Sequence, residues 1–123
     1  MEKNERVLVV DDEPGILRFV RASLSLEGYE VFTCTGGEEA LRLVESERPD
    51  IMLLDIFMVP LTGFDVLSRL RTYSRLPVIV FTARSDIGEM AIKEGANGFI
   101  AKPFKPVDLV RKIREILDSP DVP

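Results

Sequence analysis

Five short stretches rich in β-branched and aliphatic residues punctuate the chain: Val7-Leu8-Val9-Val10, Tyr29-Glu30-Val31-Phe32-Thr33, Ile51-Met52-Leu53-Leu54, Val78-Ile79-Val80-Phe81 and Gly98-Phe99-Ile100-Ala101. The first, third and fourth contain no polar residue, which is the pattern of strands covered on both faces. Between these stretches the apolar residues recur with helical period. Ile16, Val20 and Leu24 fall on every fourth position, after Pro14, which suits a first helical turn, and before Gly28, which suits a left-handed stop. A second helix opens at Thr35-Gly36-Gly37-Glu38, read as a capping box, carries Ala40, Leu41 and Val44 inward and stops before Pro49. The third begins near Thr62 or Gly63 and sets Val66, Leu67 and Leu70 on one side. The fourth, about Asp86 to Glu94, offers Ile87, Met90 and Ala91 as its apolar residues and holds Gly88 in its interior, so it is the weakest helix of the set. The last starts at Pro106 and aligns Leu109, Ile113, Ile116 and Leu117. Strands alternating with helices in this way predict an α/β fold, a doubly wound parallel sheet of five strands wrapped on both sides by right-handed crossovers.

Length and composition narrow the class. A chain of 123 residues has room for one domain, and 46% hydrophobic with 30% charged residues is a globular mixture rather than a disordered one. Residues 1–118 are expected to form that domain. Ser119-Pro120-Asp121-Val122-Pro123 has the composition of a tail or the start of a linker. No apolar run approaches the ~20 residues that span a bilayer. The charged start Met1-Glu2-Lys3-Asn4-Glu5-Arg6 leads into four apolar residues, too few for a signal peptide, so a cytoplasmic chain with no membrane partner is expected. Sixteen Lys and Arg against 21 Asp and Glu give a net charge of −5, which argues against direct nucleic-acid binding and favours cations or basic partners. A single cysteine, Cys34, excludes an intrachain disulfide and a multi-cysteine zinc site, and the lack of histidine excludes Ser-His and Cys-His catalysis and histidine-ligated metals. The available chemistry is that of carboxylates, hydroxyls and lysines.

Those groups collect where the strands end. The first apolar run is followed by Asp11-Asp12-Glu13, the third by Asp55, the fourth by Thr82 and the fifth by Lys102. The carboxyl ends of the strands in an open α/β sheet share one edge, and ligands bind there. Any one of these residues alone reads as a helix cap or a solvated loop residue; their coincidence at four strand ends points to a site. Crowded carboxylates need a proton or a cation, and an all-oxygen donor set favours Mg²⁺. Mg²⁺, an ammonium and a carboxylate nucleophile suit phosphoryl transfer to aspartate, in which charge on the transferring oxygens must be neutralised from several sides. By contrast, Gly36-Gly37 lacks the Gly-Lys-Ser/Thr of a P-loop, and Cys34 has no basic neighbour in sequence to activate it.

VLVVDDEPGI, IMLLD with Gly63 eight residues after Asp55, VIVFTA and GFIAKPF, in that order, resemble the receiver domain of two-component response regulators, the CheY-like superfamily of flavodoxin-like fold. The resemblance runs from about residue 5 to about residue 118 and implies strand order 2-1-3-4-5. It implies Asp55 as phosphoacceptor, Asp12 as direct Mg²⁺ ligand, Asp11 as a ligand through water, and the backbone carbonyl of Phe57 as a further metal ligand. Thr82 would bond the phosphoryl group, Lys102 would pair with Asp55 and then with a phosphoryl oxygen, and Phe99 falls at the switch aromatic. The Lys102-Pro103 bond is expected to be cis. The implied partners are a sensor histidine kinase as phosphodonor and a downstream effector domain or protein, on a C-terminal segment or a separate chain. A homodimer formed on phosphorylation is also compatible with the family. Such a domain assists its own phosphorylation and dephosphorylation but is not a turnover enzyme.

Some positions depart from the family pattern. Val59 stands where a proline is usual and Pro60 follows it, the segment from Thr82 to Lys102 is short, and Asn97-Gly98 replaces the acidic pair of one DNA-binding subgroup. Phe57 and Arg84 are expected to flank the phosphoryl group, with a bulky Phe57 hindering the attacking water and prolonging the acyl phosphate. The alternative from another class, a haloacid-dehalogenase-type phosphatase, needs Asp-x-Asp after its first strand and usually a cap domain; Asp11 and Asp12 are adjacent and no residues remain for a cap. A flavodoxin-like cofactor binder would want a hydroxyl-rich phosphate loop, which the sequence lacks.

Overall fold

Strands that are apolar on both faces must be covered on both, and the chain achieves this by laying its crossover helices on opposite sides of one sheet. The computed structural model describes residues 4–119. Along them run β1 (Arg6–Val10), α1 (Pro14–Leu26), β2 (Glu30–Cys34), α2 (Gly37–Glu47), β3 (Ile51–Asp55), α3 (Gly63–Leu70), β4 (Val78–Thr82), α4 (Ser85–Lys93), β5 (Gly98–Ala101) and α5 (Pro106–Leu117). The strands form one parallel sheet in the order β2-β1-β3-β4-β5. Side-chain alternation divides the strand residues between two cores. Leu8, Val10, Met52, Leu54, Val78 and Val80 pack with Ala40, Val66, Leu67, Leu70 and Ala91 on the side of α2, α3 and α4. Val7, Val9, Ile51, Leu53, Ile79 and Phe81 pack with Leu17, Val20, Leu24, Leu109 and Ile113 on the side of α1 and α5.

Several expectations change in detail. The capping box lies on α3, not on α2. Thr62 accepts from the Asp65 N–H at 3.1 Å and the Thr62 N–H donates to Asp65 at 2.9 Å. On α2 the N-cap is Gly36 and no side chain caps it, because Thr35 sits one residue too far upstream. Gly37 is instead a packing position, since a Cβ there would lie 2.7 Å from Val66. Met90 is 51% exposed rather than part of the core, and α4 buries Gly88 and Ala91 in its place. On α5, Arg114 is half-buried rather than a freely solvated charge. It binds Glu5 with two bonds of 2.7 and 3.0 Å and ties α5 to the residue before β1. The short segment between Thr82 and Lys102 still contains all of α4, and the exposed Asn97 ties it to the sheet, its side-chain oxygen accepting from the Val78 N–H at 2.9 Å and from Arg71 at 3.0 Å. The segments Met1-Glu2-Lys3 and Pro120-Asp121-Val122-Pro123 lie outside the described residues. Among the described residues no helix is long and apolar enough to cross a membrane.

Candidate functional site

The strand register brings the chemistry together. Val10 lies opposite Leu54, so Asp11, one residue on, is level with Asp55. Asp55 lies opposite Phe81, and Thr82 lies opposite Ala101, which immediately precedes Lys102. A backbone bond of 2.9 Å from the Lys102 N–H to the Thr82 carbonyl continues the ladder to the rim. Four strands thus end within about a residue of one level, and Asp11, Asp55, Thr82 and Lys102 stand at that common rim.

Lys102 reaches across this rim. Its Nζ donates to Asp11 Oδ2 at 3.0 Å and to Asp55 Oδ1 at 3.2 Å, and it rests 4.9 Å from the centre of the Phe81 ring. Asp11 is fully buried and also accepts from the Glu13 N–H at 2.9 Å, so both of its oxygens are engaged. Asp55 is 4% exposed, whereas Asp12 is open to solvent. One oxygen from each of Asp11, Asp12 and Asp55 lies within 4.8 Å of the others. Burial, followed by the charge of Asp11, pushes the Asp55 carboxyl up to about 6 against the pull of Lys102. For Lys102 burial acts to lower the pKa, but the bonds and charges of Asp11 and Asp55 outweigh it and raise the value.

Three carboxylates facing one ammonium leave negative charge in excess, and every donor is oxygen. That combination fits a hard divalent cation such as Mg²⁺. Thr82 is buried at 1% exposure, and its hydroxyl oxygen accepts from the Arg84 N–H at 3.3 Å, which leaves the hydroxyl proton for donation into the cleft. The Arg84 side chain is drawn to Asp86 at 2.7 Å, so its guanidinium already has a partner on α4. The Phe57 side chain is 58% exposed on the loop after β3. Two peptide bonds at this end of the molecule are cis, Lys102-Pro103 as expected and Val59-Pro60 in addition.

Other residues shape the site without carrying its chemistry. Gly63 is the clearest, because a Cβ there would stand 2.5 Å from the Asp55 carbonyl and 2.8 Å from the Ile56 Cα. Its N–H donates to the Ile56 carbonyl at 2.8 Å, which seats the start of α3 against the end of β3. The spacing of Gly63 from Asp55 was the signal in the sequence. Phe81 beneath Lys102 and the N–H of Glu13 on Asp11 had no such signal. Beside Lys102 an apolar cavity of about 310 Å³ is lined by Ile16, Phe19, Ala83, Pro103 and Phe104, so the charged cluster borders an apolar wall on the α1 side.

Comparison with known proteins places the fold in a family. The family model described as the response regulator receiver domain matches residues 7–114. A probable transcriptional regulator, ycf27, of Guillardia theta is 40% identical over 119 residues, covering 95% of this chain and 47% of that protein. The transcriptional regulatory protein KdpE of Mycobacterium tuberculosis is 40% identical over 110 residues, covering 88% of this chain and 49% of that protein. The chain therefore spans about half the length of the curated relatives it matches. Among solved structures, the chemotaxis response regulator CheY4 of Vibrio cholerae superposes with a TM-score of 0.87 at 30% identity, covering 93% of this chain and 99% of that one. A CheY-like receiver domain protein of Methanospirillum hungatei gives 0.87 at 31% identity, covering 94% and 95%.

Proposed function

The chain belongs to the response regulator receiver domain family of two-component signalling, and from that premise we propose that it accepts a phosphoryl group on Asp55 with the help of Asp11, Asp12, Thr82 and Lys102. The observation that carries this reading is the bridge of Lys102 Nζ between Asp11 and Asp55, with three carboxylate oxygens gathered within 4.8 Å beside it.

In the transfer, an oxygen of Asp55 forms a new bond to phosphorus as the phosphorus–nitrogen bond of a histidine kinase's phosphohistidine breaks. Lys102, held in place by the buried Asp11, meets the negative charge of the transferring oxygens at a fixed position and needs little reorganisation. The Thr82 hydroxyl donates to a phosphoryl oxygen from the adjacent strand. Asp11, Asp12, Asp55 and the Phe57 carbonyl are the groups that would hold Mg²⁺, Asp11 through water because Lys102 and the Glu13 N–H occupy its oxygens. When bound, Mg²⁺ supplies the positive charge that lets these carboxylates face an anionic group.

The consequence is a signal rather than a released product. Filling the site draws Thr82 inward, Phe99 turns in behind it, and the surface around α4 shifts between two states that an effector domain or protein reads. A sensor kinase upstream, an effector downstream, and pairing of two phosphorylated copies complete the proposed circuit; the excess of acidic residues gives no support to direct nucleic-acid binding by this domain. Acetyl phosphate with Mg²⁺ tests the acceptor. Intact-mass spectrometry should show one added phosphoryl group on the wild-type chain and none on Asp55→Asn; equal labelling of both would assign the acceptor elsewhere.

A further inference from the structure

Gly88 lies in the interior of α4, where a glycine weakens a helix relative to alanine. Its φ is not positive, so no turn requires it. What occupies the place of its missing side chain is Phe99: a Cβ on Gly88 would stand 2.3 Å from Cδ2, 2.5 Å from Cγ and 2.8 Å from Cε2 of that ring. Cγ is the root of the ring, tied to β5 through a single carbon, so a tilt of the ring tip cannot make room. Either Phe99 leaves this position or α4 moves.

The register shows where else the ring can go. Phe99 lies opposite Val80, and Thr82 follows Val80 by two residues on the same face of the sheet. Val80, Ala91, Ile87 and Phe99 share the core under α4. The ring lies against Gly88, and Thr82 is the next position along the same face toward which it can turn. The outer side of α4 exposes Met90 and Ile92, at 51% and 41%, so a movement of this helix changes surface that another protein can read.

We propose that Gly88 is a positioning residue, the seat that holds Phe99 away from Thr82 in the unphosphorylated protein and couples departure of the ring to movement of α4. This rests on the reading of Asp55 and Thr82 given above and adds to it the residue that sets the resting state. A side chain at position 88 closes the seat, so Gly88→Ala shifts the resting population toward the state with the ring at Thr82.

Fluorophenylalanine labelling with ¹⁹F NMR, with the Phe99 signal assigned by loss in Phe99→Leu, tests this in the full chain with and without Mg²⁺ and beryllofluoride. Gly88→Ala without beryllofluoride should show the Phe99 signal already moved toward its position in the beryllofluoride-bound wild type. Its beryllofluoride affinity should rise by roughly threefold or more, as follows when a minor competent state becomes the major one. A Phe99 signal at the wild-type resting position, or an unchanged affinity, overturns the proposal. A second measurement needs no variant: the nuclear Overhauser contact between the Phe99 ring and the Gly88 Hα should be present in the resting wild type and lost on beryllofluoride binding, and its persistence overturns the proposal equally. Failure of wild type to bind beryllofluoride at all would instead sink the phosphoacceptor reading, so the two failures are distinct.

Discussion

At the scale of single residues, the site's character comes from an unfavourable charge arrangement held in place by burial. Asp55 is almost fully enclosed, next to the buried Asp11, and its carboxyl is pushed up to about 6, first by burial and then by that neighbour. Because the folded value lies above the unfolded one, the metal-free native state binds the extra proton between about pH 4 and pH 6, and stability declines as pH rises through that window. Asp55→Asn, which removes the charge and keeps the shape, should therefore be more stable than wild type at pH 7 in a chelator, by on the order of 1–2 kcal/mol or roughly 4–8 °C in Tm. The difference should shrink toward zero below about pH 4, where both chains are neutral at this position. Thermal scans across pH check it, and a gap independent of pH would contradict it. Phe57 carries a second prediction at this scale. Its exposed ring stands two residues past Asp55, in a loop whose Met58 is buried as an anchor. Phe57→Asn should speed loss of the phosphoryl group by admitting the attacking water, measured by the decay of labelled protein after removal of donor; an unchanged rate would mean that the ring packs on the loop without guarding the acyl phosphate.

The scale of elements explains which features the sequence disclosed. Parallel strands buried on both faces can only be written as uniform apolar runs, which is why β1, β3 and β4 were legible to within a residue. The rim residues were legible for the same reason, since each is the first polar side chain after such a run. Helix starts were harder. Thr35-x-x-Glu38 and Thr62-x-x-Asp65 both have the spacing of a box, and only the true first residue of each helix decides which hydroxyl reaches an N–H. Thr62→Ala should accordingly cost about 1 kcal/mol, while Thr35→Ala should stay within about 0.5 kcal/mol; urea denaturation of the two variants separates them. Gly88 was legible as a weakness of α4 and not as a seat, because a glycine's missing side chain says nothing about what fills its place. Met90 was misplaced by the same short helix, whose inward face is made by Gly88 and Ala91 rather than by its largest apolar residues.

The whole molecule sets the limits within which these devices operate. The alternation of strands and helices specifies a doubly wound sheet, but strand order 2-1-3-4-5 came from the likeness of its motifs to a known family, since local pattern does not say which strand neighbours which. The two cores divide the labour: α1 and α5 fix one face, while the other face carries α4 and Phe99, the parts proposed to move. The strand order puts Asp55, the proposed acceptor, on β3 at the centre of the sheet, and Phe99, the proposed switch, on β5 at its edge. All of this depends on Asp55 becoming an acyl phosphate. Borohydride reduction of protein treated with acetyl phosphate and Mg²⁺, followed by peptide mapping, reads that bond directly. The account predicts conversion of the residue at position 55 to homoserine and of no other carboxylate; reduction at a different aspartate, or none in folded protein, would contradict it.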